Sequence, residues 1–154
     1  MGAPYAAGQI LTAATLNEPF PLGDDAWATY IPTLTQPGAV TNNPVGRYQR
    51  VGRLIVVNTW IGATGAGTAA NAVTVGLPVA ASSALVLTNQ AIGSGVLFDA
   101  SAGIFYAGIL VLASATTARL YMGATGTLGT GGFTAALANS DQVTYMAMYE
   151  ANTS

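Results

Sequence analysis

Eight short β-prone runs, each bounded by turn-forming residues, constrain this chain more than any other feature it has. They lie at residues 27–34, 45–50, 53–61, 72–77, 91–99, 104–112, 118–122 and 143–149. Between them stand Gln36-Pro-Gly38, Thr41-Asn-Asn-Pro44 and Gly62-Ala-Thr-Gly-Ala-Gly67. There Gly supplies positive φ, Pro a fixed φ, and Asn side-chain turns. Strands of this length and spacing predict an all-β fold, an antiparallel β-sandwich or jelly-roll-like domain over residues 26–154. Residues 1–25 read differently. Thr12-Ala-Ala-Thr-Leu-Asn17 suits a turn or two of helix with Thr12 as N-cap, stopped by Pro19 and Pro21. No amphipathic face continues it, so the segment reads as a short N-terminal docking arm.

Several runs are apolar at nearly every position instead of every second one. Ile104-Phe-Tyr-Ala-Gly-Ile-Leu-Val-Leu112 is the clearest. A sheet with one face in water alternates strictly, so these strands imply cover on both faces. In a domain this small the cover is a second copy, and a homo-oligomer is expected. Composition agrees: charged residues are 6% of the chain, against roughly 25% in an ordinary soluble domain. A surface so poor in charge is covered by Thr, Ser, Asn and Gly, or by other subunits. Residues 100–118 carry no charge, but their apolar heart, 104–113, is half of the ~20 residues a spanning helix needs. The stretch is read as a buried strand, without membrane insertion.

The chain contains no Lys, His or Cys. Ser-His-Asp and Cys-His triads, His or thiolate metal sites, Schiff bases and P-loop lysines are therefore excluded. The Gly-rich stretches 62–67 and 123–132 lack the strand–turn–helix setting of a phosphate cradle and read as connections. Gly62-Ala-Thr-Gly65 recurs as Gly123-Ala-Thr-Gly126, which a shared loop preference explains. The acids are Glu18, Asp24, Asp25, Asp99, Asp141 and Glu150, and Asp99 with Asp141 is a pair that a glycosidase could use. A Ca²⁺ site on Asp24-Asp25 would lack the Asp-x-Asp-x-Asp-Gly loop. No catalytic residue, cofactor or metal is assigned, and the chain is read as not an enzyme.

Three of the four basic residues, Arg47, Arg50 and Arg53, fall in one hairpin, Gly46-Arg-Tyr-Gln-Arg-Val-Gly-Arg-Leu-Ile-Val-Val57. With Val51-Gly52 as its turn, Arg50 and Arg53 would oppose each other across the ladder. Like charges so placed destabilise it unless an anion intervenes. That makes the three arginines candidates for contacts between subunits, together with Tyr106 and Tyr145 from the apolar strands. A nucleic-acid surface would need more cations among stacking aromatics, and none is expected. Trp27, Tyr30, Tyr48 and Trp60 suit core or interface packing, or stacking on a sugar.

Four segments resemble parts of one family. Ala7-Gly-Gln-Ile-Leu-Thr-Ala-Ala-Thr-Leu-Asn17 resembles the "LTAA-x-LN" segment of tail and minor structural proteins of tailed bacteriophages. Trp27-Ala-Thr-Tyr-Ile-Pro-Thr33 is similar to their "W-x-x-Y-x-P-T" strand, and the arginine hairpin to "G-x-Y-x-R-x-G-x-x-V-x-V". Val75-Gly-Leu-Pro78 is similar to their "V-x-L-P" strand end. The resemblance covers the first half of the chain in the expected order. It implies a non-enzymatic virion protein, often a homotrimer, with an all-β head and an arm that anchors it to the particle. Ile10, Leu11, Leu16 and Phe20 would then be the docking residues. Because the module starts about 25 residues after Met1, a capsid decoration or head-fibre protein on the particle surface is expected before a tail fibre. The alternative is a tail-associated adhesin that binds a receptor or host surface glycan. The partners implied are other copies of the chain and capsid or tail proteins.

Overall fold

The computed structural model describes residues 27–36, 41–69, 72–86, 90–122 and 136–152. The proposed arm, residues 1–25, with Ile10, Leu11, Leu16 and Phe20, lies outside them, as do Asp24, Asp25 and the stretch 123–132.

The described part is an antiparallel all-β domain, as its punctuated runs predict. Its strands are β1 (Ala28–Tyr30), β2 (Leu34–Thr35), β3 (Thr41–Val51), β4 (Leu54–Ala63), β5 (Val73–Gly76), β6 (Ala91–Asp99), β7 (Ile104–Leu112), β8 (Thr117–Met122) and β9 (Gln142–Glu150). One short helix, α1 (Ser83–Val86), precedes β6. All strands join one sheet in the order β1-β3-β4-β9-β6-β7-β8-β5-β2. Its two ends are consecutive pieces of one strand. β1 pairs with β3 while β2, beginning four residues after Tyr30, pairs with β5. Pro32 lies in the break, where its missing N–H costs no ladder bond. The Gly76 amide donates to the Thr33 carbonyl at 2.9 Å and carries the pairing toward the corner. The sheet thus curls back on itself, with one strand switching sides at a bend.

Taking β1 and β2 as one strand, the ring contains two Greek keys in succession. β5 lies beside β1/β2, followed by β3 and β4; β9 lies beside β6, followed by β7 and β8. Each group has the order fourth-first-second-third that defines the motif. Double Greek-key connectivity removes most free edges, which a long apolar strand cannot safely leave open.

Alternation divides the strands into an inner and an outer row. Ile55, Val57 and Ile61 of β4, Leu97 of β6, Leu110 and Leu112 of β7, Leu120 of β8 and Val143 of β9 are buried inside. Each such side chain contributes about 1.5–3 kcal/mol by leaving water. Two bulges keep the rows in phase. In β3 the register shifts between Asn42 and Val45, so the segment read as a turn at 41–44 is in fact a bulged strand. Pro44 is tolerated there because a bulge residue makes no ladder bond. In β6 the shift falls between Ala91 and Gly93.

The β3–β4 turn also corrects the sequence reading. Val51 pairs with Leu54, so the turn is Gly52-Arg53, not Val51-Gly52. Gly52 has φ +60°, and a two-residue turn with Gly first is the II′ arrangement whose twist suits a hairpin. Val could not take that φ without strain, and this moves the turn by one residue.

Candidate functional site

The one-residue shift separates the arginines. Arg50 pairs across the ladder with Ile55, and Arg53 sits in the turn, so the two are not opposed. Arg53 reaches Glu150 through an N–O contact of 2.7 Å between half-exposed side chains, a surface pair worth at most about 1 kcal/mol. The Arg50 Nε–H donates to the Gly52 carbonyl at 2.9 Å. Arg47 lies on the outer row, opposite Asn58. The electrostatic argument for an anion between Arg50 and Arg53 therefore falls away, while Arg47 remains open to the outside.

Tyr145, an expected interface residue, is instead 2% exposed and belongs to the interior. Its hydroxyl donates to the Gly76 carbonyl at 3.0 Å and lies 2.8 Å from the Tyr30 hydroxyl, which is 2.7 Å from Thr59 Oγ1. Each hydroxyl has a single proton, so with Tyr145 donating to Gly76 the Tyr30 proton goes to Tyr145 and Thr59 donates to Tyr30. This chain ties β1, β4 and β9 to β5 across the closing corner. Burial, with a smaller push from Tyr30, raises the Tyr145 phenol far above its ordinary pKa of about 10. Burial raises Tyr149 too, although the Val79 backbone partly opposes it. Tyr30 is raised by burial against its two hydroxyl partners. Tyr106 is half-buried on the inner row, opposite Leu97.

Both carboxylates of the hypothetical acid pair hold loops. Asp141 is buried, its Oδ1 accepting from the Ala100 amide at 2.9 Å and its Oδ2 from the Ala138 amide at 2.7 Å. Asp99 Oδ1 accepts from the Ser101 hydroxyl at 2.7 Å and from the Ser101 and Ala102 amides, which closes the β6–β7 turn. The Ser101 hydroxyl foremost, then the Ala102 amide, hold the Asp99 carboxyl below its ordinary range. A glycosidase acid needs the opposite shift. Among the described residues no group of three His, Cys, Asp or Glu side chains converges. No helix among them is long and apolar enough to cross a membrane.

The outer face of the sheet carries the surface chemistry. Met146 and Met148 of β9 are 60% and 57% exposed, and Phe105 of β7 is 70% exposed with its ring 4.7 Å from that of Phe98. Val96, Ala107 and Ile109 share this row, and no charged side chain interrupts it between Asn58 on β4 and Ile109 on β7. A shallow trench of about 500 Å³ crosses the middle, where Ser94, Ala107 and Thr144 keep the surface low between Trp60 and Met146. Beside it, on β3 and β4, a second depression of about 280 Å³ is lined by Trp27, Val45, Arg47, Asn58 and Trp60. Sequence reasoning named the apolar strands but not which row faces out. Strands apolar on both sides give no signal for that; burial alone separates Tyr145 from Met146.

Comparison with protein-family models, with curated proteins and with solved structures finds no match.

Proposed function

We propose that this chain is a non-enzymatic structural protein of a tailed-bacteriophage virion. It acts as a homotrimeric β module on the particle surface, in first place as a capsid decoration or head-fibre protein. The observation that carries the reading is the uncharged apolar row on the outer face, in a chain whose first half resembles phage modules in order. The exposed parts of Phe105, Met146 and Met148 amount to on the order of 400 Å² of apolar surface. That is already as large as the biggest patch on a typical monomer, ~300–600 Å². The half-exposed Val56, Val96, Phe98 and Ile109 around it extend it toward the ~800 Å² per partner of a stable interface. A second copy is the fitting occupant. Its own matching face is the same patch, with Arg47 and Glu150 beside it and not within it, so contact strands no buried ion. The trimeric count comes from the resemblance alone.

Light scattering on the purified chain tests the assembly, the expectation being three times 15.5 kDa. A stable monomer would contradict it. Counting copies in purified virions tests the role: decoration predicts hundreds per particle and a tail adhesin only a few. Polysaccharide cleavage that disappears on Asp99→Asn or Asp141→Asn would overturn the non-enzymatic reading. The adhesin reading is kept because of one observation, the tryptophan-lined depression on β3 and β4.

A further inference from the structure

The four aromatic residues of the first half separate into two pairs with different surroundings. Tyr30 and Tyr48 lie on the inner row and meet edge-to-face at 6.0 Å and 80°. Trp27 and Trp60 line the outer depression of about 280 Å³. Register builds its floor. Val45 lies directly across from Trp60 and Arg47 across from Asn58, giving a two-by-two tile of outward side chains on adjacent strands. Trp27 precedes β1, the neighbour of β3 on its other side, and is 44% exposed. The Trp60 indole N–H donates to Gln142 Oε1 at 3.1 Å, which fixes the ring's orientation from outside the cleft. The side chains of Arg47 and Asn58 show no hydrogen bond or ion pair to any described residue, whereas those of Arg50, Arg53 and Arg119 each have at least one. The cleft thus offers indole surface together with two uncommitted planar polar groups.

A purely apolar ligand would leave the Arg47 and Asn58 groups unused. A nucleic-acid strand would need a line of cations along its backbone, and this outward tile holds one. A pyranose matches every part. Its C–H face lies on an indole, its hydroxyls meet the Asn58 amide, and a carboxylate substituent takes two N–H donors of the Arg47 guanidinium in a bidentate pair. The volume, about 280 Å³, falls just under the ~300–1,000 Å³ of small-molecule sites, which suits one or two sugar rings. We propose that this cleft binds the terminal residue of an acidic saccharide, stacked on Trp60 and Trp27 and held through its carboxylate by Arg47. This deepens the adhesin reading, but it stands on one protomer's surface and is independent of where on a particle the chain sits.

The chain's two tryptophans are both in the cleft, so intrinsic fluorescence reports on it directly. The test titrates the full chain with a glucuronate-terminated disaccharide, its neutral glucose-terminated counterpart and a nucleoside monophosphate, with calorimetry in parallel. Saturable quenching by the acidic sugar is expected in the millimolar range usual for single-ring ligands, with the neutral sugar about tenfold weaker. Arg47→Gln should bring the acidic sugar down to the neutral level, and Trp27→Ala, at an exposed position, should weaken both sugars. Circular dichroism verifies that each variant keeps the wild-type fold. Four outcomes overturn the proposal: no saturable response to either sugar, equal binding of the two sugars, unchanged affinity in Arg47→Gln, or tighter binding of the nucleotide. None of them bears on copy number or oligomeric mass, so the assembly reading fails or survives separately.

Discussion

Replacing Tyr145 by Phe removes one oxygen from the interior and tests whether the hydroxyl chain holds the corner of the barrel. The ring stays, so packing is conserved and only hydrogen bonds change. Tyr30 loses its acceptor and the Gly76 carbonyl loses the 3.0 Å donor that links β9 to β5. Two hydrogen bonds at about 1 kcal/mol each, plus a half-buried carbonyl left short of a partner, give about 2–3 kcal/mol. For a domain of this size that is a fall of roughly 5–10 °C in Tm. The same phenol sets an alkaline limit. Its pKa is raised in the folded state, so above the unfolded value near 10 the folded chain keeps a proton that the unfolded chain releases. Stability from this group is complete below pH 10 and falls as pH rises, by about 1.4 kcal/mol per pH unit. Tyr30 and Tyr149 act in the same direction. Urea titrations between pH 8 and about 11.5 should show the wild-type chain losing stability above pH 10, and Tyr145→Phe losing it less steeply by about 1.4 kcal/mol per unit. A variant with unchanged Tm and an unchanged alkaline slope would mean that the hydroxyl chain contributes nothing to closure.

Three further substitutions address the turns and the outer face. Asp141→Asn sets an amide donor against one of the Ala100 and Ala138 amides, and urea unfolding should show a loss of about 1–3 kcal/mol; an unchanged midpoint would show the carboxylate is not a loop cap. Gly52→Ala meets no atom within 4 Å, so its cost is conformational alone, about 1–2 kcal/mol at φ +60°, read as a lower Tm with unchanged light scattering. Met146→Glu changes a side chain that is 60% exposed in the protomer, so β-sheet circular dichroism should persist while scattering falls to the 15.5 kDa monomer. An oligomer that survives the glutamate would move the interface away from β9.

The sequence was informative wherever structure is local. All eight β-prone runs became strands, and the runs at 91–99 and 104–112 match β6 and β7 to the residue. Each is enclosed by chemistry that acts on its own neighbours, such as the Asp99 carboxylate capping the turn at Ser101 and Ala102. The single break at 31–33 was marked by Pro32, yet its consequence, a strand shared between two edges of the sheet, depends on distant partners. The Gly52-Arg53 turn was within reach, because a II′ turn asks for Gly in first place. Reading Val51 into it invented a clash between Arg50 and Arg53 that the register does not contain. The candidate site was half legible. Trp27 and Trp60 were singled out with Tyr30 and Tyr48, but nothing local tells an outward indole from an inward phenol. That distinction comes from the register set at the Gly52-Arg53 turn, which runs unbroken to Val45 and puts Val45 and Arg47 on the outside opposite Trp60 and Asn58.

Topology also relates the two halves of the chain. In sequence the first Gly-Ala-Thr-Gly begins at Gly62, within β4, and the second at Gly123, after the last residue of β8. β4 and β8 are the third strands of the two Greek keys. The fourth strands then begin alike, Val73-Thr74-Val75 in β5 and Val143-Thr144-Tyr145 in β9, with the first and third residues buried in both. Advancing every strand by one key maps the ring onto itself, β5 taking the place of β9 between its neighbours. The two halves of the ring therefore share one strand plan. They differ in what they turn outward. The first key presents the polar cleft of Arg47, Asn58 and the tryptophans, and the second presents Phe105, Met146 and Met148. Under the two proposals a single barrel of low charge divides its labour, one half taking a saccharide and the other its own copies.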